Sequence, residues 1–199
     1  MVSGVIANDR IGPNAILQVI ESVTAKLGGD ATRALFLAAG LERHLQQRPS
    51  EMVAERDVAV LQSELRKTFG AEVAREISQD AGRRTGDYLL ANRIPKMAQW
   101  VLKRIPARLA AGVLARAIGK HSWTFSGSGT FSYAPGRPFR FSIAHNPICS
   151  RIRSDVPVCD YYAATFERIF CEIVHPNTRV VEVQCEATGA QACIFEANW

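Results

Sequence analysis

The chain has 199 residues, of which 47% are hydrophobic and 22% charged, and this balance excludes a disordered or fibrous protein. No apolar run reaches the roughly 18 residues needed to cross a bilayer, and the first ten residues lack the charged-then-apolar order of a secretory signal. We therefore predict a cytoplasmic protein of one domain with an appended helical segment. In a reducing compartment its five cysteines are expected to be metal ligands or buried apolar side chains rather than disulfides.

Charge is distributed unevenly along the chain, whose formal net charge is +5. Residues 88–154 contain no Asp or Glu but eleven basic residues, so this segment carries +11 and the remainder −6. One interpretation is an anionic partner, which can be a carboxylated small molecule, an anionic membrane surface, an acidic protein or nucleic acid. The other is a solvated basic face that the acidic ends of the chain neutralise.

Helical spacing of apolar residues dominates the first part of the chain. A helix is predicted from Pro13 to about Lys26, with Gly28 suited to end it, and a second from Asp30 to about Gly40. Further helices are predicted over about 57–69, 71–90, 95–104 and 106–118. The last two are short and basic, and each has a proline at its first position.

Strict alternation replaces helical spacing after Gly119, which predicts strands with one buried face. We expect an antiparallel meander of three strands over about 121–125, 131–133 and 139–145, with one aromatic face. A helix from Asp160 to Ile173 follows, and a last hairpin is predicted through residues 180–183 and 193–195. The predicted class is α+β, a helical N-terminal half followed by an antiparallel sheet with one inserted helix.

Three cysteines and a glutamate are concentrated near the C-terminus. Cys185 and Cys193 flank the last hairpin, Cys159 precedes the inserted helix, and Glu182 precedes Cys185 by three residues. Three thiolates and one carboxylate suit tetrahedral Zn²⁺, and a site whose ligands all come from the protein is structural rather than catalytic. In a regular strand Glu182 and Cys185 point to opposite faces, so this site requires a bulge or a strand end. The alternative is that the cysteines are small buried apolar side chains.

The residues around these positions resemble the 4-vinyl reductase domain family. The similarity covers roughly residues 85–199, so that residues 1–84 form a helical N-terminal extension to a small-molecule-binding domain. It implies a fold like that of the TRAPP vesicle-transport subunits, in which helices pack on an antiparallel sheet around an apolar cavity, usually in a dimer. The resemblance is carried by Val158-Cys159-Asp160-Tyr161-Tyr162, by the segment 181–189 and by Cys193-Ile194-Phe195.

The resemblance also implies a metal and a cavity. Relatives of this family fused to aromatic-sensing activators bind zinc through a Cys…Glu-x-x-Cys-x₇-Cys pattern, and the matching positions here are Cys159, Glu182, Cys185 and Cys193. Where small glycines are often present in the family's inserted helix, this chain has Ala163-Ala164-Thr165-Phe166-Glu167-Arg168. These bulkier residues predict a smaller cavity.

The family name implies reduction of the 8-vinyl group of a chlorophyll precursor, and the helical extension and short length are similar to members that act in bacteriochlorophyll biosynthesis. Such a reduction needs a redox cofactor. The glycine-rich segment 127–132 lacks the third glycine and the following helix of a dinucleotide fingerprint. Cys149 and Cys171 are isolated in the sequence, so no iron–sulfur motif is present. We therefore predict no catalytic residues and a role in binding or delivering a tetrapyrrole, with 4-vinyl reductase activity as the alternative.

A Mg-porphyrin or chlorophyllide precursor is a flat aromatic ring with an anionic edge and, once metallated, an ion that accepts an axial ligand. His121 or His145 can supply that ligand, and Arg104 and Arg108, with the neighbouring Arg93, Lys96 and Lys103, can pair with the carboxylates. The alternative is that the aromatic residues are ordinary core and the histidines are hydrogen-bonded structural residues. The aromatic side chains expected to stack on the ring are Trp123, Phe125, Phe131, Tyr133, Phe139 and Phe141.

A further alternative is a regulatory module that binds a partner protein. Residues 93–104 combine Trp100, aliphatic residues and cations without any acid, which is typical of an interfacial helix. This segment can dock on an anionic membrane or on an acidic enzyme of the pathway, although Pro106 interrupts the helix and favours a protein groove or ordinary packing at least equally. Nucleic-acid binding is disfavoured because no helix-turn-helix is recognisable and the cations are interleaved with aliphatic residues.

Overall fold

A computed structural model describes residues 9–199 and confirms the predicted α+β class, with most helices first and the antiparallel sheet last. In chain order the elements are β1 (Arg10–Ile11), α1 (Asn14–Ala38), α2 (Arg43–Gln46), β2 (Val53–Ala54), α3 (Glu55–Asn92), α4 (Lys96–Leu102), α5 (Ala107–Lys120), α6 (Trp123–Ser126), β3 (Thr130–Ala134), β4 (Phe139–Ala144), α7 (Asp160–Ile173), β5 (Arg179–Gln184), a 3-10 turn (Glu186–Thr188) and β6 (Cys193–Asn198).

The two long helices are kinked at glycines, where the sequence predicts separate helices. Gly28 interrupts α1 with a φ of 88°, and Gly70 interrupts α3 with a φ of 80°. A side chain at either position would meet no atom within 4 Å, so the positive φ rather than crowding favours glycine there. The glycine signals therefore change the direction of each helix without a loop.

α3 lies between α1 and α7 and makes its closest approach to α7 at two glycines one turn apart. A Cβ at Gly82 would overlap the carbonyl oxygen of Tyr161, and a Cβ at Gly86 would lie 2.8 Å from the Cβ of Arg168. The Thr165 hydroxyl donates to the Gly82 carbonyl oxygen at 3.0 Å. The position between residues 84 and 85 thus lies inside a helix that packs on α7 on both sides of it.

The main sheet is antiparallel in the order β3-β4-β6-β5, so the chain's last strand lies in its interior. In this register Phe141 of β4 is opposite Tyr133 of β3 and Phe195 of β6. α7 covers the face that these rings share, with Phe166 stacked on Phe141 at a centroid distance of 4.6 Å. The hydrophobic core is therefore continuous from the inner face of the sheet through α7 to α3 and α1.

The predicted strand over residues 121–125 is wrong. The backbone N–H groups of Thr124 and Phe125 donate to the carbonyl oxygens of His121 and Ser122, so the chain closes a helical turn instead of pairing with β3. His121 and Trp123 are consequently exposed, while Phe125 packs edge-on against Phe131. Alternation of aromatic residues predicted a strand here, but local i to i+3 hydrogen bonds satisfy the backbone instead.

The two predicted basic helices are present as α4 and α5, each directly preceded by a proline. α5 lies against β3 and buries a face made largely of alanine. Within residues 9–199 no helix combines the length and the apolarity that crossing a membrane requires. The buried residues of α5 are Ala110, Ala111, Leu114 and Ala115.

Candidate metal centre

Four cysteines from four separate segments of the chain meet at one end of α7. Cys149 lies in the loop after β4, Cys159 directly precedes α7, Cys185 follows β5 and Cys193 begins β6. All four are buried, and their sulfur atoms all lie within 4.8 Å of one another. Cys149, isolated in the sequence, is thus part of the cluster.

The spacing of the sulfur atoms matches the edges of a tetrahedron around a metal ion. Sγ to Sγ distances are 3.6 Å for Cys149 to Cys193, 3.6 Å for Cys159 to Cys193, and 3.8 Å for Cys159 to Cys185. The distance from Cys185 to Cys193 is 3.9 Å. A tetrahedral zinc ion with Zn–S bonds of about 2.3 Å requires edges of about 3.8 Å. The residues present therefore fit a tetrahedral thiolate-bound ion.

A bulge in β5 and a tight turn after it bring the C-terminal cysteines to the cluster. The pairing of β5 with β6 shifts between Glu182 and Gln184, which provides the irregularity that the spacing of Glu182 and Cys185 requires. The turn closes when the Ala190 N–H donates to the Cys185 carbonyl oxygen at 3.2 Å. Gly189 has a φ of 93° in this turn, a conformation that favours glycine.

Polar hydrogens point at the sulfur atoms, as they do around metal-bound thiolates. The Asn146 side-chain amide donates to Cys159 Sγ at 3.3 Å, and the Glu186 N–H donates to Cys193 Sγ at 3.4 Å. Such donors orient thiolate ligands and reduce the charge that the sulfur atoms carry. Burial and neighbouring thiols raise the pKa of Cys159, whereas hydrogen bonds from Cys149, Cys159 and Cys193 lower the pKa of Cys185. The cluster is thus built to hold negative charge that a cation would neutralise.

Glu182 lies beside the cluster in a different arrangement from that of the thiols. Its Oε2 accepts a hydrogen bond of 2.7 Å from the backbone N–H of Cys159, and its Oε1 is buried without a hydrogen-bond partner. Burial, together with the charge of Cys185, raises the pKa of Glu182 to about 8. Glu182 is outside the set of atoms that lie within 4.8 Å of one another. Two ligand sets are therefore available, four cysteines or three cysteines and Glu182.

The aromatic residues predicted to stack on a ligand lie mainly in the core. Phe139 and Phe141 are buried on the inner face of the sheet, where both pack against Phe170 of α7. Phe131 stacks on Phe141, and Tyr133 stacks on Phe139 at a centroid distance of 6.1 Å. The space next to this face is occupied by α7.

The other predicted ligand residues lie in separate places. His121 and Trp123 are exposed near the end of α5, and Arg108 is exposed at its start. Arg104 follows α4, and its guanidinium lies over the Trp100 ring, 3.7 Å from the centroid. His145 is in the loop after β4, with a φ of 55°. The structure thus does not bring the two histidines together at the aromatic face.

An open cleft beside the thiol cluster contains His145. It has a volume of about 530 Å³, and Cys149 and Ala190 form part of its wall. Its two carboxylates are engaged by hydrogen-bond donors: Glu186 accepts from the N–H groups of His145 and Asn146, and Glu55 accepts from Ser128. The cleft also holds three arginines without an ion pair among residues 9–199, which are Arg56, Arg151 and Arg153.

Sequence reasoning missed this cleft as a site, although Arg151 and Arg153 belong to the acid-free segment 88–154. The signal available was the basic pair close to His145, in a loop between β4 and α7. Arg56 comes from the start of α3, far away in the chain. Its contribution depends on the packing of α3 beside that loop.

The chain is similar to known proteins over nearly its whole length. The model of the 4-vinyl reductase domain family matches residues 139–198. The bacteriochlorophyll synthase 23 kDa chain of Cereibacter sphaeroides is 48% identical over 187 residues, which cover 94% of this chain and 89% of that protein. The protein of the same name from Rhodobacter capsulatus is 39% identical over 189 residues, covering 94% and 85%. These matches confirm the family resemblance that the sequence motifs indicate.

Solved structures share the fold at low sequence identity. A structure from a study of heme distortion in the H-NOX family superposes with a TM-score of 0.58, 13% identity and 95% coverage of both chains. The phenol-responsive sensory domain of the transcription activator PoxR, solved with phenol, gives a TM-score of 0.53 at 15% identity, covering 73% of this chain and 74% of that one. These similarities establish the fold.

Proposed function

This chain belongs to the family of the bacteriochlorophyll synthase 23 kDa chains, and from that premise we propose that it binds or delivers a tetrapyrrole in bacteriochlorophyll biosynthesis without catalysing a reaction itself. The observation that carries the proposal is 48% identity over 94% of the chain. The similarity includes the helical first half as well as the 4-vinyl reductase domain, so the shared role concerns the whole chain. An enzyme of the same pathway is the proposed protein partner, and the implied homodimer stays a prediction.

We propose that the thiol cluster holds a structural zinc ion through Cys149, Cys159, Cys185 and Cys193. When bound, the ion would supply a cross-link between the loop after β4, the start of α7 and the β5–β6 hairpin. Complete burial of the four thiols supports a structural role, because a substrate has no open path to the ion. Glu182 would then accept the Cys159 N–H beside the cluster, with the three-cysteine and glutamate set as the alternative.

The open cleft is the proposed binding site for the tetrapyrrole. Its volume of about 530 Å³ is in the range of small-molecule sites. Arg56, Arg151 and Arg153 would pair with the anionic edge of the ring, and the His145 imidazole would ligate the central Mg²⁺. The aromatic face is less suited to the ligand, because α7 would have to move away from Phe141 and Phe139 to admit it. The related fold of the H-NOX proteins holds a heme, which supports testing a porphyrin first.

Titration of the purified protein with protoporphyrin IX and with its Mg monomethyl ester tests the proposal, followed by the Soret band and by tryptophan fluorescence. We expect saturable binding of both compounds. Arg151→Gln combined with Arg153→Gln should weaken both by roughly tenfold or more, because each replacement removes a charge-assisted hydrogen bond. The matched control is Arg33→Gln with Arg75→Gln, on exposed surfaces away from the cleft.

A histidine pair distinguishes the proposed axial ligand. His145→Ala should weaken binding of the Mg-porphyrin but not of the metal-free porphyrin, whereas His121→Ala on the exposed end of α5 should change neither. Equal affinity of wild type and His145→Ala for the Mg-porphyrin would remove His145 from the site. Absence of binding by the folded wild-type protein would overturn the carrier role.

The second candidate function is 4-vinyl reduction, which the family match over residues 139–198 favours. The assay supplies a divinyl chlorophyllide with reduced nicotinamide or reduced ferredoxin and follows loss of the 8-vinyl group by mass. Turnover by the purified protein would replace the non-catalytic proposal. Turnover only after addition of a pathway enzyme would instead support delivery to that enzyme.

A further inference from the structure

α4 and α5 present large apolar side chains to solvent at helical spacing. Met97, Trp100 and Val101 lie on α4, and Met97 is 73% exposed. Leu109 and Val113, one turn apart on α5, are 61% and 54% exposed. Each helix therefore carries an exposed apolar stripe in addition to the face that it buries. These five residues are called the apolar stripes below.

The cations around the apolar stripes are largely unpaired. Of the seven basic residues from Arg93 to Lys120, Lys103 alone has a carboxylate partner among residues 9–199, Glu172 at 2.5 Å. No acidic residue is present anywhere in the segment 88–154. The Arg104 guanidinium covers the Trp100 ring and donates to the Trp100 carbonyl oxygen at 2.9 Å, which holds a positive charge next to an apolar surface. The segment therefore combines exposed hydrophobic groups with uncompensated positive charge.

We propose that α4 and α5 dock this protein on the surface of an anionic lipid bilayer. Tryptophan, methionine and aliphatic side chains would enter the boundary between headgroups and acyl chains, and the arginines and lysines would contact the lipid phosphates. The short helices and the proline between them suit a surface-lying arrangement, since each helix can present its own stripe without spanning the membrane. This inference goes beyond the tetrapyrrole proposal and does not depend on it.

The charge pattern favours lipid over the other occupants of such a surface. A second copy of the chain would place the same unpaired cations opposite one another around a twofold axis, which costs free energy. An acidic protein would satisfy the charge, but protein interfaces are depleted of lysine and keep few cations unpaired. Anionic headgroups supply many negative charges over a continuous surface, which matches cations distributed over two helices.

Vesicle flotation of the full chain tests the proposal. One set of vesicles is pure phosphatidylcholine, and the other contains equal amounts of phosphatidylcholine and phosphatidylglycerol. We expect the protein to float with the anionic vesicles only and to be released by high salt, because headgroup attraction is screened. A blue shift of tryptophan fluorescence that Trp100→Phe diminishes would locate the contact on α4.

Surface variants separate the two contributions. Met97→Ser with Trp100→Ser removes apolar area, and Arg108→Gln with Arg116→Gln removes two charges and should lower the partition coefficient by about thirtyfold. The matched controls are Val156→Ser with Val181→Ser, equally exposed elsewhere, and Arg33→Gln with Arg75→Gln. Circular dichroism checks that all variants are folded.

The proposal is overturned by wild-type protein that stays unbound to anionic vesicles, or by controls that lose binding as much as the α4 and α5 variants do. Failure to bind vesicles together with capture of a purified acidic pathway enzyme, sensitive to the same variants, would assign the surface to a protein partner. A dimer that Met97→Ser with Trp100→Ser dissociates would assign it to a second copy. Porphyrin titration of the same variants is a separate measurement, so either proposal can fail alone.

Discussion

The sulfur of Cys149 lies 3.6 Å from that of Cys193, although 44 positions separate the two residues along the chain. The contact exists because β4 pairs with β6 in a register that places Ile143 opposite Cys193, and the loop after β4 then returns over the start of β6. Cys193 is also the sulfur closest to Cys159, which precedes α7. The thiol cluster therefore joins the sheet to the helix that covers it.

Cys149→Ser is expected to lower the bound zinc per chain and to reduce the free energy of unfolding by more than about 3 kcal/mol, because a structural zinc site contributes roughly 10 kcal/mol or more to folding. Metal analysis and chemical denaturation on the same sample measure both effects. Cys171→Ser is the control, since Cys171 donates to the Thr178 carbonyl oxygen outside the cluster. Full zinc content and unchanged stability in Cys149→Ser would exclude Cys149 as a ligand.

Glu182→Gln tests which group supplies the fourth ligand. The glutamine keeps an oxygen that accepts the Cys159 N–H, so we expect bound zinc to remain near the wild-type value if four cysteines hold the ion. The neutral side chain should also leave stability at neutral pH within about 1 kcal/mol of wild type. Loss of zinc in Glu182→Gln but not in Cys149→Ser would instead establish the ligand set of three cysteines and Glu182.

Gly82→Ala should destabilise the protein by about 2 kcal/mol, because the added methyl group collides with the Tyr161 carbonyl oxygen where α3 meets α7. Thermal and denaturant unfolding measure the loss. Gly112→Ala is the matched control on α5, where a Cβ meets no atom within 4 Å, and it should raise stability by roughly 0.5–1 kcal/mol. Equal effects of the two substitutions would mean that α3 and α7 are not in close contact.

Glu172 links the end of α4 to α7 and makes this link pH-dependent. Its hydrogen bond with Lys103 and then that with Arg168 lower its pKa from the ordinary 4.5. A carboxyl with a lowered pKa in the folded state stabilises the protein above its unfolded pKa, and this stabilisation is lost as pH falls through the folded pKa. Because the group is partly exposed, the expected contribution is below about 1 kcal/mol.

The test compares unfolding at about pH 7 and about pH 3. Glu172→Gln should reduce the difference in stability between the two conditions, whereas Glu51→Gln, at an exposed position without an ion pair among residues 9–199, should leave it unchanged. A pH dependence identical to that of wild type would show that the ion pairs of Glu172 are not maintained in solution.

Periodicity in the sequence was sufficient for the class and for most elements. The helix over Asp160–Ile173 has the predicted bounds, and the hairpin after it is present with the irregularity that Glu182 and Cys185 require. Local chemistry determines such features, since apolar spacing selects the helix face and glycine permits the turn. The same local signals misled at residues 121–125, where alternating aromatic residues form a helical turn.

Composition and spacing also determined that Cys159, Cys185 and Cys193 are candidate ligands and that segment 88–154 carries the positive charge. The tertiary structure alone decided that Cys149 joins them, that α7 fills the space beside the aromatic face, and that Arg56 meets Arg151 at the cleft. The physical reason is the range of the interactions. Periodicity records how each segment meets the core, whereas these contacts arise from strand pairing and helix packing between residues that are distant in the chain.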